Sequence, residues 1–268
     1  MKKIMLAAVF AASGAFAAAA ADLPARTYTK APPPVAPAYS WTGCYVGGNA
    51  GGGWANGNGN RDTINAGNTT LNAGIGVPVT LGTGSDGAIG GAQIGCNYQT
   101  GVLVFGFETD IQGSGIRGSS SVFSPSIAGS DPTTATGTEQ LGWFGTARGR
   151  IGFSPMNDFL LYGTGGLAYG GVKNSASLAL SPIGDGNYAG ATSQTNVGWT
   201  VGAGGEYAFG GNWSVKLEYL YLDLGSTLVQ MTDPGRPNTF IDYGFRHHDN
   251  IVRAGLNYHF GGPVVAKY

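Results

Sequence analysis

The feature that most constrains this chain is a repeated alternation separated by unequal spacers. After residue 40 the sequence breaks into eight segments: 41–54, 87–99, 102–113, 140–153, 159–172, 197–209, 213–222 and 251–260. In the last, "IVRAGLNYHF", Val252, Ala254, Leu256, Tyr258 and Phe260 alternate with Arg253, Asn257 and His259. A period of two puts the two sets on opposite faces of a strand. The same rule sets Ala92, Ile94, Cys96 and Tyr98 against Gln93, Asn97 and Gln99. It sets Leu103, Phe105, Phe107 and Ile111 against Glu108, Asp110 and Gln112. Further on it sets Leu141, Trp143, Ala147, Ile151 and Phe153 against Thr146, Arg148 and Arg150. Trp199, Val201, Ala203, Tyr207 and Phe209 oppose Thr200 and Glu206; Trp213, Val215, Leu217, Tyr219 and Tyr221 oppose Ser214, Lys216 and Glu218. Segment 159–172 is too rich in glycine for its faces to be assigned.

The spacers are of two kinds. Short ones at 100–101, 154–158 and 210–212 carry the Gly, Pro, Asn and Asp of tight reversals. Long ones at 55–86, 114–139, 173–196 and 223–250 are rich in Gly, Ser, Thr, Asn and Asp. Their strict alternation puts every tight turn at one end and every long connection at the other. A soluble sandwich has no reason to keep that asymmetry. A barrel crossing an outer membrane does, with turns periplasmic and loops extracellular. The sequence therefore predicts an all-β fold over 41–260: an eight-stranded antiparallel transmembrane β-barrel with short periplasmic turns and long extracellular loops. Its first and last strands pair, because lipid tolerates no open edge. The apolar face of each strand then meets lipid and the polar face fills the lumen.

Composition agrees. Charged residues are 11 % of the chain, against roughly 25 % in soluble domains. There are 49 Gly, yet also 13 Tyr, 12 Phe and 5 Trp, which argues against disorder. All five Trp fall at segment ends. Trp41 and Trp213 are expected on the periplasmic side and Trp54, Trp143 and Trp199 on the outer side, as two interfacial girdles. A net charge of −1 and the lack of a basic patch exclude a nucleic-acid partner. The basic "MKK", the apolar run 4–17 and the small residues up to Ala21 read as a signal peptide, 1–21. Residues 22–40 form a Pro-rich periplasmic leader, and 261–268 a short tail. An exported chain enters an oxidising compartment.

Four acidic residues, Glu108, Asp110, Glu206 and Glu218, and four basic ones, Arg148, Arg150, Lys216 and Arg253, fall on predicted lumen faces. Isolated buried charges are prohibitive, whereas paired and hydrogen-bonded ones are tolerable, so a closed lumen network is expected. Cys44 and Cys96 come level on neighbouring strands a few residues above the periplasmic end, which predicts a cross-strand disulfide. His247 and His248, flanked by Asp242 and Asp249, sit at the base of the last loop. They are candidate ligands for a metal or haem iron, although polar residues at a strand mouth are the commoner explanation of such a pair. No partner motif makes them a catalytic triad. "NGNGNRD" (56–62) reads as loop. There is no zinc spacing, phosphate loop or dinucleotide fingerprint. No cofactor and no enzymatic activity are expected.

From "ADLPAR" through "WTGCYVGGNAGGGW", "GGAQIGCNYQ", "WFGTARGRIGF", "LLYGTGGLAYG", "VGWTVGAGGEYAF" and "KLEYLYLDLG" to "VRAGLNYHF", the chain resembles the small alphaproteobacterial outer-membrane barrels, the RopB-type porin-like surface antigens. The resemblance covers nearly all of the chain outside the loops. It implies an OmpA-like barrel in the outer membrane of a Gram-negative bacterium. The implied partners are membrane lipid, lipopolysaccharide and the barrel assembly machinery. It also implies a terminal aromatic assembly signal, here Phe260 with Tyr258, although "GGPVVAKY" follows and ends on Tyr268. Three functional readings stay open. One is a structural surface protein serving envelope integrity and surface display. The second is a narrow passive channel, its lumen thinned by glycines such as Gly142, Gly202, Gly204 and Gly255. The third is a loop-borne binder of haem or another ligand.

Overall fold

The structure, a computed structural model, describes residues 39–55, 59–60, 80–82, 84–125, 132–180 and 186–260. The signal segment, the leader up to residue 38, most of the 56–62 stretch and the 261–268 tail lie outside the described residues. Eight long strands form the barrel. They are β1 (Gly43–Ala55), β2 (Ser85–Thr100), β3 (Leu103–Ser124), β4 (Thr133–Met156), β5 (Phe159–Leu180), β6 (Asn187–Ala208), β7 (Trp213–Asp233) and β8 (Arg236–Phe260). They pair antiparallel in one closed ring, β1 joining both β2 and β8. The closing seam runs from Cys44 opposite Phe260 to Trp54 opposite Asn250. A two-residue ladder, Gly59–Asn60 with Thr80–Leu81, stands outside the ring.

The tight reversals occur where the short spacers predict them. Gly101 takes φ 60° between β2 and β3; Gly210 and Gly211 take φ 61° and 60° between β6 and β7. Positive φ costs glycine little and other residues more. Above these turns the strands alternate as read. Ile94, Phe107, Ile151, Leu217 and Leu256 point outward and are exposed, while Gln93, Glu108, Arg150, Lys216 and Asn257 on the opposite faces are buried.

The expected long loops prove to be largely strand. About ten tilted residues suffice to cross a bilayer, yet β3 through β8 run for 21 to 25 residues. The extra length lies on the extracellular side, in what the sequence presents as spacers 114–139, 173–196 and 223–250. There the polarity inverts. Val229, Met231, Ile241, Tyr243 and Phe245 point inward and pack with Leu178 and Tyr188. Thr138, Lys173, Ser177 and Gln230 point outward. A water-soluble barrel with an apolar core is thus continuous with a membrane barrel of opposite polarity.

Two strands make the inversion with a bulge. On β7, Gly225 at φ 73° lies at a register shift against His247 and His248. The odd-numbered residues Val215, Leu217 and Tyr219 face outward below it, and Val229 and Met231 face inward above it. On β4 the shift lies between Leu141 and Trp143. An inserted residue changes the face of everything beyond it. Leu141, read from strict alternation as lipid-facing, is therefore buried in the lumen beside Ile116 and Phe144.

Four of the five Trp face outward at the expected heights: Trp54, Trp143, Trp199 and Trp213. Trp41 does not join the periplasmic girdle. It precedes β1, is fully buried, and turns into the barrel mouth against Tyr39 and His259. Its backbone N–H donates to Gln99 Oε1 at 2.8 Å, which fixes the chain across the opening.

Candidate functional site

The lumen at mid-membrane height holds all eight predicted charges, each essentially inaccessible to solvent. Inward-facing positions on β3, β4, β6, β7 and β8 supply them, because those strands carry polar residues on the even or odd set that the pleat turns inward. Glu108 is the hub. Its carboxylate accepts from Arg148 Nη2 at 2.5 Å, from Lys216 Nζ at 2.8 Å and from the Tyr45 hydroxyl at 2.6 Å. Asp110 Oδ2 accepts from Arg148 at 3.0 Å, Arg253 at 2.8 Å and Thr146 Oγ1 at 2.8 Å. Glu218 takes Arg148 Nη1 at 2.9 Å and Arg253 Nε at 2.8 Å, and Tyr162 donates to it at 3.1 Å.

Arg150 and Glu206 extend the network toward the periplasm. Arg150 Nη2 donates to Glu206 at 2.9 Å, and its Nη1 donates to the Tyr45 hydroxyl at 2.6 Å. Its guanidinium stacks 3.9 Å from the centre of the Tyr162 ring. Ser214 and Asn257 donate to the other Glu206 oxygen at 2.5 and 2.8 Å. The four carboxylates balance the four cations. Charge-assisted bonds of this kind offset the desolvation that each ion suffers.

Apolar layers close the network on both sides. Toward the periplasm stand Trp41, Val104, Leu160 and Ala208. Toward the outside stand Ile89, Ile116, Leu141, Phe144, Leu220 and Ile251. The lumen glycines do not thin this filling. A Cβ on Gly204 would meet the Tyr162 hydroxyl at 2.6 Å, and one on Gly255 would meet Lys216 Cε at 3.1 Å. Gly202 is likewise crowded, by Leu220, while Gly142 sits at the β4 bulge with room to spare. Gly202, Gly204 and Gly255 make space for neighbouring side chains that occupy it.

His247 and His248 are on strand β8, not at the base of a loop. His247 is buried inside the extension. Its Nδ1 lies 2.6 Å from Glu139 and its Nε2 lies 3.0 Å from the Asn174 amide, so both ring nitrogens are engaged. His248 is half-buried on the other face of β8, and Asp249 is buried on the same side as His247. The pair does not converge on one ligand position. Cys44 and Cys96 are register partners on β1 and β2 and are joined by a disulfide on the outward face. Tyr258 and Phe260 point outward at the periplasmic end of β8, their ring centres 5.5 Å apart, with Trp213 against Tyr258.

Sequence reading missed Tyr45 and Tyr162, whose hydroxyls complete the network. Segment 159–172 was too glycine-rich to phase, and no faces were assigned in segment 41–54. With Cys44 outward, alternation puts the next residue, Tyr45, inward.

Comparison with known proteins places the chain in context. A family model described as an outer membrane protein beta-barrel domain matches residues 8–260. The chain is 39 % identical over 267 residues to the 31 kDa outer-membrane immunogenic protein of Brucella melitensis, covering 97 % of this chain and 100 % of that protein. It is 34 % identical over 228 residues to the 22 kDa outer membrane protein of Rhizobium leguminosarum bv. viciae, covering 85 % of this chain and 82 % of that one. Among solved structures, OprG from Pseudomonas aeruginosa aligns with a TM-score of 0.46 at 12 % identity, over 84 % of this chain and 100 % of that one.

Proposed function

Because the chain belongs to the outer membrane protein β-barrel family, we propose that it serves the envelope through its wall and its extracellular surface, and that its lumen is a structural plug. The observation that carries this reading is the charge network held between two apolar layers. Eight strands enclose an interior just wide enough for side chains, and here salt bridges cross it. The extracellular extension, with its own apolar core, forms a rigid platform that displays hydroxyl-rich strand faces to the surroundings. Immunogenicity in the name of the Brucella relative fits such display.

His247, held on both ring nitrogens beneath the apolar core of the extension, has a structural part. Phe260, the last strand residue and outward-facing, serves as the aromatic signal read during assembly. A deletion strain tests the proposal. It should become sensitive to detergent and bile salts while small hydrophilic solutes enter at an unchanged rate. Slowed solute uptake with intact detergent resistance would reverse the assignment.

A further inference from the structure

Between β6 and β7 the wall of the extension is not held by its backbone. Ala189 is opposite Thr232 and Trp199 is opposite Asp223, and residues 190–198 and 224–231 between them make no ladder pair with each other. This is the longest interruption in the ring among the described residues. Side chains close the seam instead. Asn196 Nδ2 donates to the Leu224 carbonyl at 3.1 Å and to Thr227 Oγ1 at 3.0 Å, and Gln194 Nε2 donates to Thr227 Oγ1 at 3.0 Å. Isolated bonds of this kind exchange for water at small net cost.

A second polar layer lies behind the lower end of the seam. His247 on β8 reaches across the extension to Glu139 on β4 at 2.6 Å and to Asn174 on β5 at 3.0 Å. Asp249, buried on the same side of β8 as His247, points into this layer. Its register partner is Leu222, and the seam begins just beyond the next residue, Asp223. Asn250 is opposite the girdle residue Trp54, so Asp249 stands just outside the membrane section. Asp249 makes no side-chain hydrogen bond with a described residue, and Asn174 Oδ1 is buried without a partner. The layer is short of donors rather than acceptors, which favours a neutral carboxyl that can itself donate.

The charges around Asp249 agree. At this height β4 turns Glu139 inward and β8 turns His247 inward, and the other six strands turn no titratable side chain inward among the described residues. Asp86, Arg117, Lys173 and His248 lie on the outward face, and Arg246 pairs there with Asp223 at 3.2 Å. Below, Arg253 is committed to Asp110 and Glu218. No three acidic, His or Cys side chains among the described residues are placed to share a metal ion. Burial and the Glu139 carboxylate push the Asp249 carboxyl from its ordinary 3.8 up to about 7, against a smaller opposing pull from His247.

We propose that Asp249 is a proton-operated latch on the extension: protonated it lets the β6–β7 seam close, and ionised it draws water in through the seam and loosens it. A buried carboxylate with no cation of its own must be hydrated. The seam is the nearest stretch of wall that can admit water without breaking a ladder. An acid whose proton is held more tightly in the closed form stabilises that form fully below its ordinary range. The stabilisation is lost as pH rises to about 7. The displayed strands are therefore stiffer in acid surroundings than in neutral ones.

The test is amide hydrogen exchange of the full-length mature protein in nanodiscs, followed from about pH 5.5 to about pH 8 and corrected for the intrinsic pH dependence of exchange. Peptides covering 190–198 and 224–231 report on the seam, and 251–260 serves as the membrane control. In wild type the seam should be about tenfold less protected at the upper pH than at the lower, with the control unchanged. Asp249→Asn, checked for the heat-dependent gel shift of a folded barrel, should stay protected at both. Glu139→Gln, which removes the charge facing Asp249, should move the midpoint of the profile to lower pH. Equal protection of the wild-type seam at both ends of the range overturns the proposal. So does an Asp249→Asn profile that matches wild type, an unmoved midpoint in Glu139→Gln, or an equal loss of protection in 251–260.

Discussion

Lys216 Nζ lies 2.8 Å from both carboxylate oxygens of Glu108. Lys216 is on β7 and Glu108 on β3, four places apart in a ring of eight, so this ion pair spans the barrel's diameter. On the proposed reading, a bridge of this kind interrupts any continuous water column through the lumen. The bond also ties opposite walls together, which is how a polar interior stiffens a closed sheet.

Breaking that bridge should be costly. Lys216→Met leaves Glu108 with Arg148 and Tyr45 but without its nearest ammonium. Removing one partner of a buried pair costs about 3–5 kcal/mol. The expected outcome is a lower urea midpoint for the refolded barrel. The paired change Glu108→Gln/Lys216→Met should cost less than the sum of the single changes. Strict additivity would show that the two residues do not depend on each other.

The disulfide predicts a simple chemistry. Denatured, unreduced protein should show no free thiol, since Cys44 and Cys96 are the chain's only cysteines. The bridge closes a separation of 52 residues. Reduction or Cys96→Ser should lower stability by about 2–4 kcal/mol. Two titratable thiols in the unreduced sample would remove the bond from the account.

The extension should unfold separately from the membrane barrel. Phe245 is fully buried among Tyr243, Ile241 and Val229. Phe245→Ala should cost about 3–5 kcal/mol, spent in the extracellular part. On intact cells trypsin should then cut at sites such as Arg117, Lys173 or Arg246, which the wild-type strands protect. The heat-dependent gel shift should persist. Loss of both together would mean that the two sections fold as one unit.

Assembly should depend on the end of β8. Phe260→Ala is expected to lower the amount of folded protein in the outer membrane severalfold without changing the urea midpoint of protein refolded in detergent. An unchanged cellular level would shift the assembly role away from Phe260.

Within the membrane section the sequence was readable because lipid imposes a strict rule. Each residue is on the lipid side or the lumen side, and period two sorts them, as for Ile251 to Phe260. The eight network charges followed from the same sorting. Above the outer girdle the rule changes sign. The outward face there is rich in Ser, Thr, Gln and Lys, a composition that resembles loop. Yet "LVQMTDPGRPNTFIDYGF" holds a turn signal, Asp-Pro-Gly, between two alternating runs, and Asp233 accepts from the Gly235 N–H at 2.9 Å there. The inverted polarity hid that hairpin. Leu141 was misplaced because a bulge changes phase without any residue type announcing it. Trp41 was misplaced because an interfacial Trp and a plug Trp look alike at a strand end.

The most direct test of the central claim is single-channel recording of wild-type protein in a planar bilayer, after the heat-dependent gel shift confirms a folded barrel. The account predicts a quiet trace with inserted protein, because the Glu108–Lys216 bridge and the two apolar layers close the lumen. Reproducible conductance steps of fixed size would contradict it and make the lumen a pore.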